Sequence, residues 1–190
     1  MLTIPNLLSI LRMGLIPIFV IAVLDGRTGR ALVCFALAGV TDALDGFIAR
    51  FWKQQSVLGA YLDPLADKLL LVSSYVVLAI PNLRAGLVIP AWITALVITR
   101  DVVIVAVALL LHLAAGVSRF PPSPLSKVNT AVQVGTVLVV LLSDRGPQIE
   151  AVASILVLLV AALTLGSGVE YVVRAHRMAA QSGASSDSNE

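Results

Sequence analysis

Residues 41–50 read TDALDGFIAR, placing two carboxylates, a glycine and an arginine in an otherwise apolar stretch. Asp42 and Asp45 are three residues apart, so on a helix they share one face, with Arg50 a further turn or so along. Asp63 and Asp67 repeat the arrangement at i, i+4, and Pro64 suits the first turn of a helix opening there. The intervening FWKQQSVLG is a short turn, so the two helices form a hairpin and their four carboxylates converge. Four such anions repel one another unless something neutralises them. Oxygen donors suit Mg²⁺, Mn²⁺ or Ca²⁺ rather than a thiophilic metal. No cysteine lies nearby, and His112 and His176 are remote from the acids in sequence, so a zinc site is not expected. Two divalent cations would balance four carboxylates, an arrangement able to grip a phosphoryl group from both sides. Gly46 and Gly59 open gaps in the helix surface, which serve either close helix packing or ligand approach; beside the acids, ligand approach is favoured.

The elements that must position these groups are apolar. Of 190 residues, 58% are hydrophobic and only 13% charged, against about 25% in ordinary soluble domains. Mean hydropathy is +0.98. Aromatics are few, so the excess is Leu, Val, Ala and Ile, the material of lipid-facing helices. An all-α integral membrane protein is expected. A formal charge of +2 gives no case for nucleic acid, and the single Cys34, inside an apolar run, allows no disulfide framework. The start MLTIPNLLSILR has no positively charged opening or small-residue cleavage site, and is expected to be retained.

Six transmembrane helices are expected, at about Leu7–Leu24, Ala31–Phe51, Pro64–Ile80, Val88–Leu113, Val128–Leu142 and Ile149–Val173. GVSRFPPSPLSK, between the fourth and fifth, is a loop because its prolines cannot continue a helix. Residues 1–178 read as one membrane domain, and 179–190 as a disordered polar tail. With the N-terminus inside, Arg50, Lys53, Arg119, Lys127, Arg174 and Arg177 fall on the inner side, and Arg27, Arg30, Arg84 and Arg145 on the outer. That bias favours both termini in the cytoplasm and a polar metal site at the cytoplasmic face. Arg174 and Arg177, with His176, read as part of the topology-setting patch.

The run Asp42-x2-Asp45-Gly46-x2-Ala49-Arg50-x8-Gly59-x3-Asp63-x3-Asp67 resembles the signature of the class I CDP-alcohol phosphatidyltransferases, with every fixed position and spacing in place. The resemblance implies an enzyme of phospholipid biosynthesis that moves a phosphatidyl group from CDP-diacylglycerol to an alcohol and releases CMP. It implies two divalent cations, Mg²⁺ or Mn²⁺, held by Asp42, Asp45, Asp63 and Asp67, with Asp67 also the general base. Gly46 and Arg50 are then contacts for the CDP-diacylglycerol head group, and Ser56 a further nucleotide contact. PNLLSILR resembles the family's segment that closes over the nucleotide, with Asn6 and Ser9 as contacts. A homodimer in a membrane, such as a bacterial inner membrane, with the site facing the cytoplasm, is also implied. The chemistry agrees with the residues: the Arg50 fork suits phosphate oxygens, and a donor with a soluble nucleotide and two acyl tails belongs at the membrane–water boundary.

LDPLADK and the PNLL start resemble the branch that makes phosphatidylglycerophosphate or cardiolipin. The acceptor is expected to meet Arg100 in VITRDVVIV, and Lys127 and Asn129 in SPLSKVNTAVQV. Phosphatidylglycerophosphate synthases tend to carry Arg-Glu and two lysines in these stretches; here Asp101 follows Arg100, and Asn129 takes the second lysine position. The less positive pocket suits phosphatidylglycerol, with its uncharged glycerol, over the dianionic glycerol 3-phosphate. LSKVNTAVQ also resembles the cardiolipin-forming members. In the bland alternatives, Arg100 and Asp101 pair with neighbouring helices and Lys127 snorkels to the interface. An ion-coupled transporter would spread polar residues through the membrane depth and show repeats; here the acids gather near one face and no repeat is visible. A non-catalytic lipid binder would not need all four aspartates.

Overall fold

The computed structural model describes the backbone of residues 4–52, 57–83, 86–115 and 123–187, and within these the side chains of 7–42, 44, 64–83, 86–107, 123–171 and 173. Among the described residues there is no strand. The chain forms α1 (Ile4–Leu24), α2 (Thr28–Trp52), α3 (Val57–Leu78), α4 (Ala91–Ala115), α5 (Pro124–Leu142) and α6 (Pro147–Asp187), with a 3₁₀ turn at Ser143–Arg145. Helix is what an apolar chain must adopt away from water, because it satisfies backbone N–H and C=O groups internally. The shortest, α5, has 19 residues, about 28 Å at 1.5 Å per residue, close to the thickness of a bilayer's hydrocarbon core. Among the described residues, Leu7–Leu24, Pro124–Arg145 and Pro147–Tyr171 are long and apolar enough to cross a membrane.

α1 packs on α2 and α3; α6 packs on α4 and α5; α2 and α3 join the two groups through α5 and α4. The shared core includes Phe19, Phe35, Tyr75, Ile93, Val137 and Val160, all buried. The rings of Phe19 and Phe35 lie 5.7 Å apart and tilted, fastening α1 to α2. The outward faces are also apolar: Leu7, Ile18, Val105, Ile155, Leu158 and Val169 are each more than half exposed. Such surface suits lipid rather than water.

One end of the bundle is tightly fastened. α1 ends in a Schellman turn, where the Gly26 N–H donates to the Val23 carbonyl and the Arg27 N–H to that of Ala22. Gly26 takes φ 68° there, as such a turn demands. Nearby, the Leu87 N–H donates to Ser143 Oγ at 2.8 Å, and Thr28 Oγ1 donates to Asp144 Oδ2 at 2.8 Å. Gly86 makes this approach feasible, since a Cβ there would meet Ser143 Oγ at 2.6 Å.

Two boundaries differ from expectation. α3 begins at Val57, so Pro64 lies inside the helix rather than in its first turn. The apolar positions Val57, Leu58, Ala60 and Leu62 carry the helix ahead of the proline, and membrane helices tolerate the bond lost at the Ala60 carbonyl. Meanwhile α6 runs on to Asp187, through the stretch expected to be an irregular tail from residue 179. Ala179, Ala180 and Gln181 are good helix formers, and no proline stops them.

Candidate active site

Asp42 lies on α2 and Asp67 on α3, and α1 packs against both helices. Their carboxylates converge on one cation, Arg12 of α1. Arg12 Nη2 lies 3.1 Å from Asp42 Oδ1, and Arg12 Nη1 lies 2.5 Å from Asp67 Oδ1. The arginine side chain is fully buried, whereas the aspartates remain 49% and 43% exposed. The acids thus keep an open side while their inner side is neutralised. Asp45 and Asp63 share these two helices, but their side chains, with those of Asn6, Gly46 and Arg50, lie outside the described set, as does Ser56 altogether.

Asp42 and Asp67 line a cavity of about 190 Å³ together with Phe35, Gly39, Thr130 and Val134. A second, open groove of about 410 Å³ runs along α5 over Ser126, Lys127, Thr130, Ala131 and Val134. Thr130 and Val134 line both, so the groove at Lys127 and the cavity at the aspartates lie against the same stretch of α5. A Cβ built on Gly39 meets nothing within 4 Å. Gly39→Leu is therefore expected to fill the cavity without unfolding the bundle, its melting temperature in detergent staying near that of wild type and of Gly39→Ala; melting curves on both variants check this.

A second polar cluster binds four helices. Arg100 donates from Nε to Ser167 Oγ at 3.1 Å, from Nη1 to Asp101 Oδ1 at 2.8 Å and from Nη2 to Ser126 Oγ at 2.6 Å. Lys68, next to Asp67 on α3, reaches Asp101 Oδ2 at 2.5 Å. Local sequence places Ser126: Ser123 caps α5 by accepting from the Ser126 N–H, and Pro124 occupies the first turn.

The expected acceptor residues therefore separate. Lys127 is exposed on the groove. Arg100 is buried among its partners and lines a different cavity, of about 380 Å³, with Val103 of α4 and Thr164 and Gly168 of α6. Asn129 is fully buried and exchanges hydrogen bonds with Thr164 of α6 at 3.3 Å. It lines neither the cavity nor the groove, because α5 turns residues 127, 130, 131 and 134 to one side and 129 to the other. Ser9, an expected nucleotide contact, lies on the buried face of α1, one turn before Arg12. Arg12 itself and Lys68 were not legible as site residues from the motif. The signal for Arg12 was an arginine within an apolar span, which demands a counter-ion.

Among the described residues, no three Asp, Glu, His or Cys side chains come together. The two described acids nonetheless fit a hard divalent cation. They are oxygen donors from adjacent helices, already gathered by a positive group, with their open side on a cavity.

Fold and site together define, among the described residues, an all-helical protein with apolar helices long enough to cross a membrane and an acidic centre held between them. Residues 2–166 match the CDP-alcohol phosphatidyltransferase family, and the chain belongs to that family. It is similar to the cardiolipin synthases (CMP-forming) of Rattus norvegicus and Homo sapiens, 42% and 41% identical over 148 residues, or 70% of this chain. The aligned part spans about half of those relatives, 47% and 48% of their lengths. It is also similar to the CDP-diacylglycerol–glycerol-3-phosphate 3-phosphatidyltransferase of Haemophilus influenzae, 36% identical over 172 residues, covering 89% of this chain and 91% of the relative.

Proposed function

We propose that the chain transfers the phosphatidyl group of CDP-diacylglycerol to the free glycerol hydroxyl of phosphatidylglycerol, forming cardiolipin and CMP. The observation that carries this reading is the meeting of Asp42 and Asp67 at a cavity that shares Thr130 and Val134 with the Lys127 groove. Asp67 accepts the proton of the attacking hydroxyl. That oxygen bonds to the phosphorus bearing diacylglycerol, and the bond from this phosphorus to the CMP oxygen breaks. An aspartate is a weak base, so holding the hydroxyl beside it supplies much of the acceleration. Arg50 holds donor phosphate oxygens with its planar fork, and Lys127 meets the acceptor's phosphate along the groove. Asp42, Asp45, Asp63 and Asp67 would hold two divalent cations, Mg²⁺ or Mn²⁺, which when bound neutralise the pyrophosphate and the charge developing on CMP. The reading includes six membrane crossings, a homodimer, and a site facing the cytoplasm.

The higher identity to the cardiolipin synthases supports phosphatidylglycerol as acceptor. The nearly full-length match to the Haemophilus influenzae protein favours glycerol 3-phosphate as the second reading. CMP release by purified protein with CDP-diacylglycerol and Mg²⁺ or Mn²⁺, offered each acceptor separately, decides between them. Cardiolipin from phosphatidylglycerol alone is expected. Product from glycerol 3-phosphate alone would replace the acceptor and leave the donor chemistry standing; no product from either would sink both readings.

A further inference from the structure

Arg12 is the single charged residue in the sequence of α1, and an unpaired guanidinium is poorly tolerated at such depth. Its two terminal nitrogens reach carboxylates on two different helices, touching one oxygen of each. A planar fork used this way fixes the distance and relative orientation of Asp42 and Asp67, which a point-charge ammonium does not. Simple charge balance would be served by a cation anywhere nearby. The observed geometry does more, because it ties α1, and with it the segment bearing Asn6 and Ser9, to the α2–α3 hairpin at the acids themselves. Like charges oppose this arrangement when divalent cations bind close by, so two outcomes are physically distinct. Either the arginine competes with the cations, or it holds the acids in the positions the cations need.

We propose that Arg12 is a positioning residue that pre-assembles Asp42 and Asp67 for divalent cations and couples α1 to that centre. The inference rests on the metal reading given above. The contacts favour positioning over competition, since the arginine is fully buried and is not among the cavity's lining residues, whereas both acids are partly exposed and line it. Residues that orient metal ligands from behind typically contribute 10–100-fold to metal affinity.

The test is Mn²⁺ binding to the full-length protein in detergent, without substrate, followed by the electron paramagnetic resonance of free Mn²⁺. Wild type, Arg12→Gln, Arg12→Lys and Asp42→Asn are compared, with melting curves taken alongside. Wild-type binding that Asp42→Asn weakens supports the metal reading; no binding by folded wild type removes that reading and this inference together. Given wild-type binding, Arg12→Gln is expected to weaken Mn²⁺ affinity about 10–100-fold, and Arg12→Lys to fall between. Unchanged or tighter Mn²⁺ binding in folded Arg12→Gln overturns the inference even if the variant melts earlier, because a strut or a competitor behaves that way. Should Arg12→Gln fail to fold, Arg12→Lys decides, and wild-type Mn²⁺ affinity in it overturns the proposal.

Discussion

Asp67→Asn is expected to slow CMP release about 10²–10⁴-fold at saturating substrates, the usual contribution of a positioned general base. Asparagine matches aspartate in shape and keeps an oxygen for Arg12 Nη1, which now lies 2.5 Å from Asp67 Oδ1. The α1–α3 contact therefore survives while the proton acceptor and one negative charge are lost. Single-turnover CMP release, with folding checked by melting and monodispersity, measures the effect. A rate within tenfold of wild type would move the base elsewhere on the hairpin. Asp67 is suited to the role by position: from α3 it lines the cavity together with Thr130 and Val134 of α5, which also line the groove at Lys127.

Arg100→Met is expected to lower the melting temperature in detergent by on the order of 5 °C, from about 1–3 kcal/mol for leaving buried hydroxyls without their charged donor while Asp101 keeps Lys68. The Arg100 side chain is only 6% exposed. Methionine refills its volume but leaves Asp101 and the hydroxyls of Ser126 and Ser167 without the fork that joins α4 to α5 and α6. Lys127→Met is the informative contrast. Its side chain is exposed, so its melting should stay near wild type, while KM for the acceptor rises about tenfold from loss of a charged contact. Wild-type melting for Arg100→Met combined with a raised acceptor KM would return Arg100 to direct acceptor binding.

The helical runs were legible because apolar residues in lipid have one economical backbone solution, and the acids because each is out of place in such runs. What sequence could not supply was pairing at long range. Arg12 interrupts an apolar run and reveals nothing of Asp42 or Asp67, which lie 30 and 55 positions on; only the packing of α1 on both later helices joins them. Asn129 sits near Lys127 in sequence, yet a helix turns the two apart, so Asn129 meets Thr164 instead of the groove. Pro64 misled for a related reason. Its ring fits a helix start, but the residues before it were already helical, and the local rule gave way to the apolar segment around it.

The ties among Thr28, Asp144, Leu87 and Ser143 lie at the end of the bundle where α1 meets α2 and α5 meets α6. The acids stand part-way along their helices, Asp42 a little past the middle of α2 and Asp67 near the middle of α3. Arg12 and Arg100 tie the helices again part-way along, so the bundle is bound like a barrel with two hoops. Loosening the knot at Ser143 and Asp144 therefore leaves the hoop at the acids closed, and the two fastenings can be weakened one at a time.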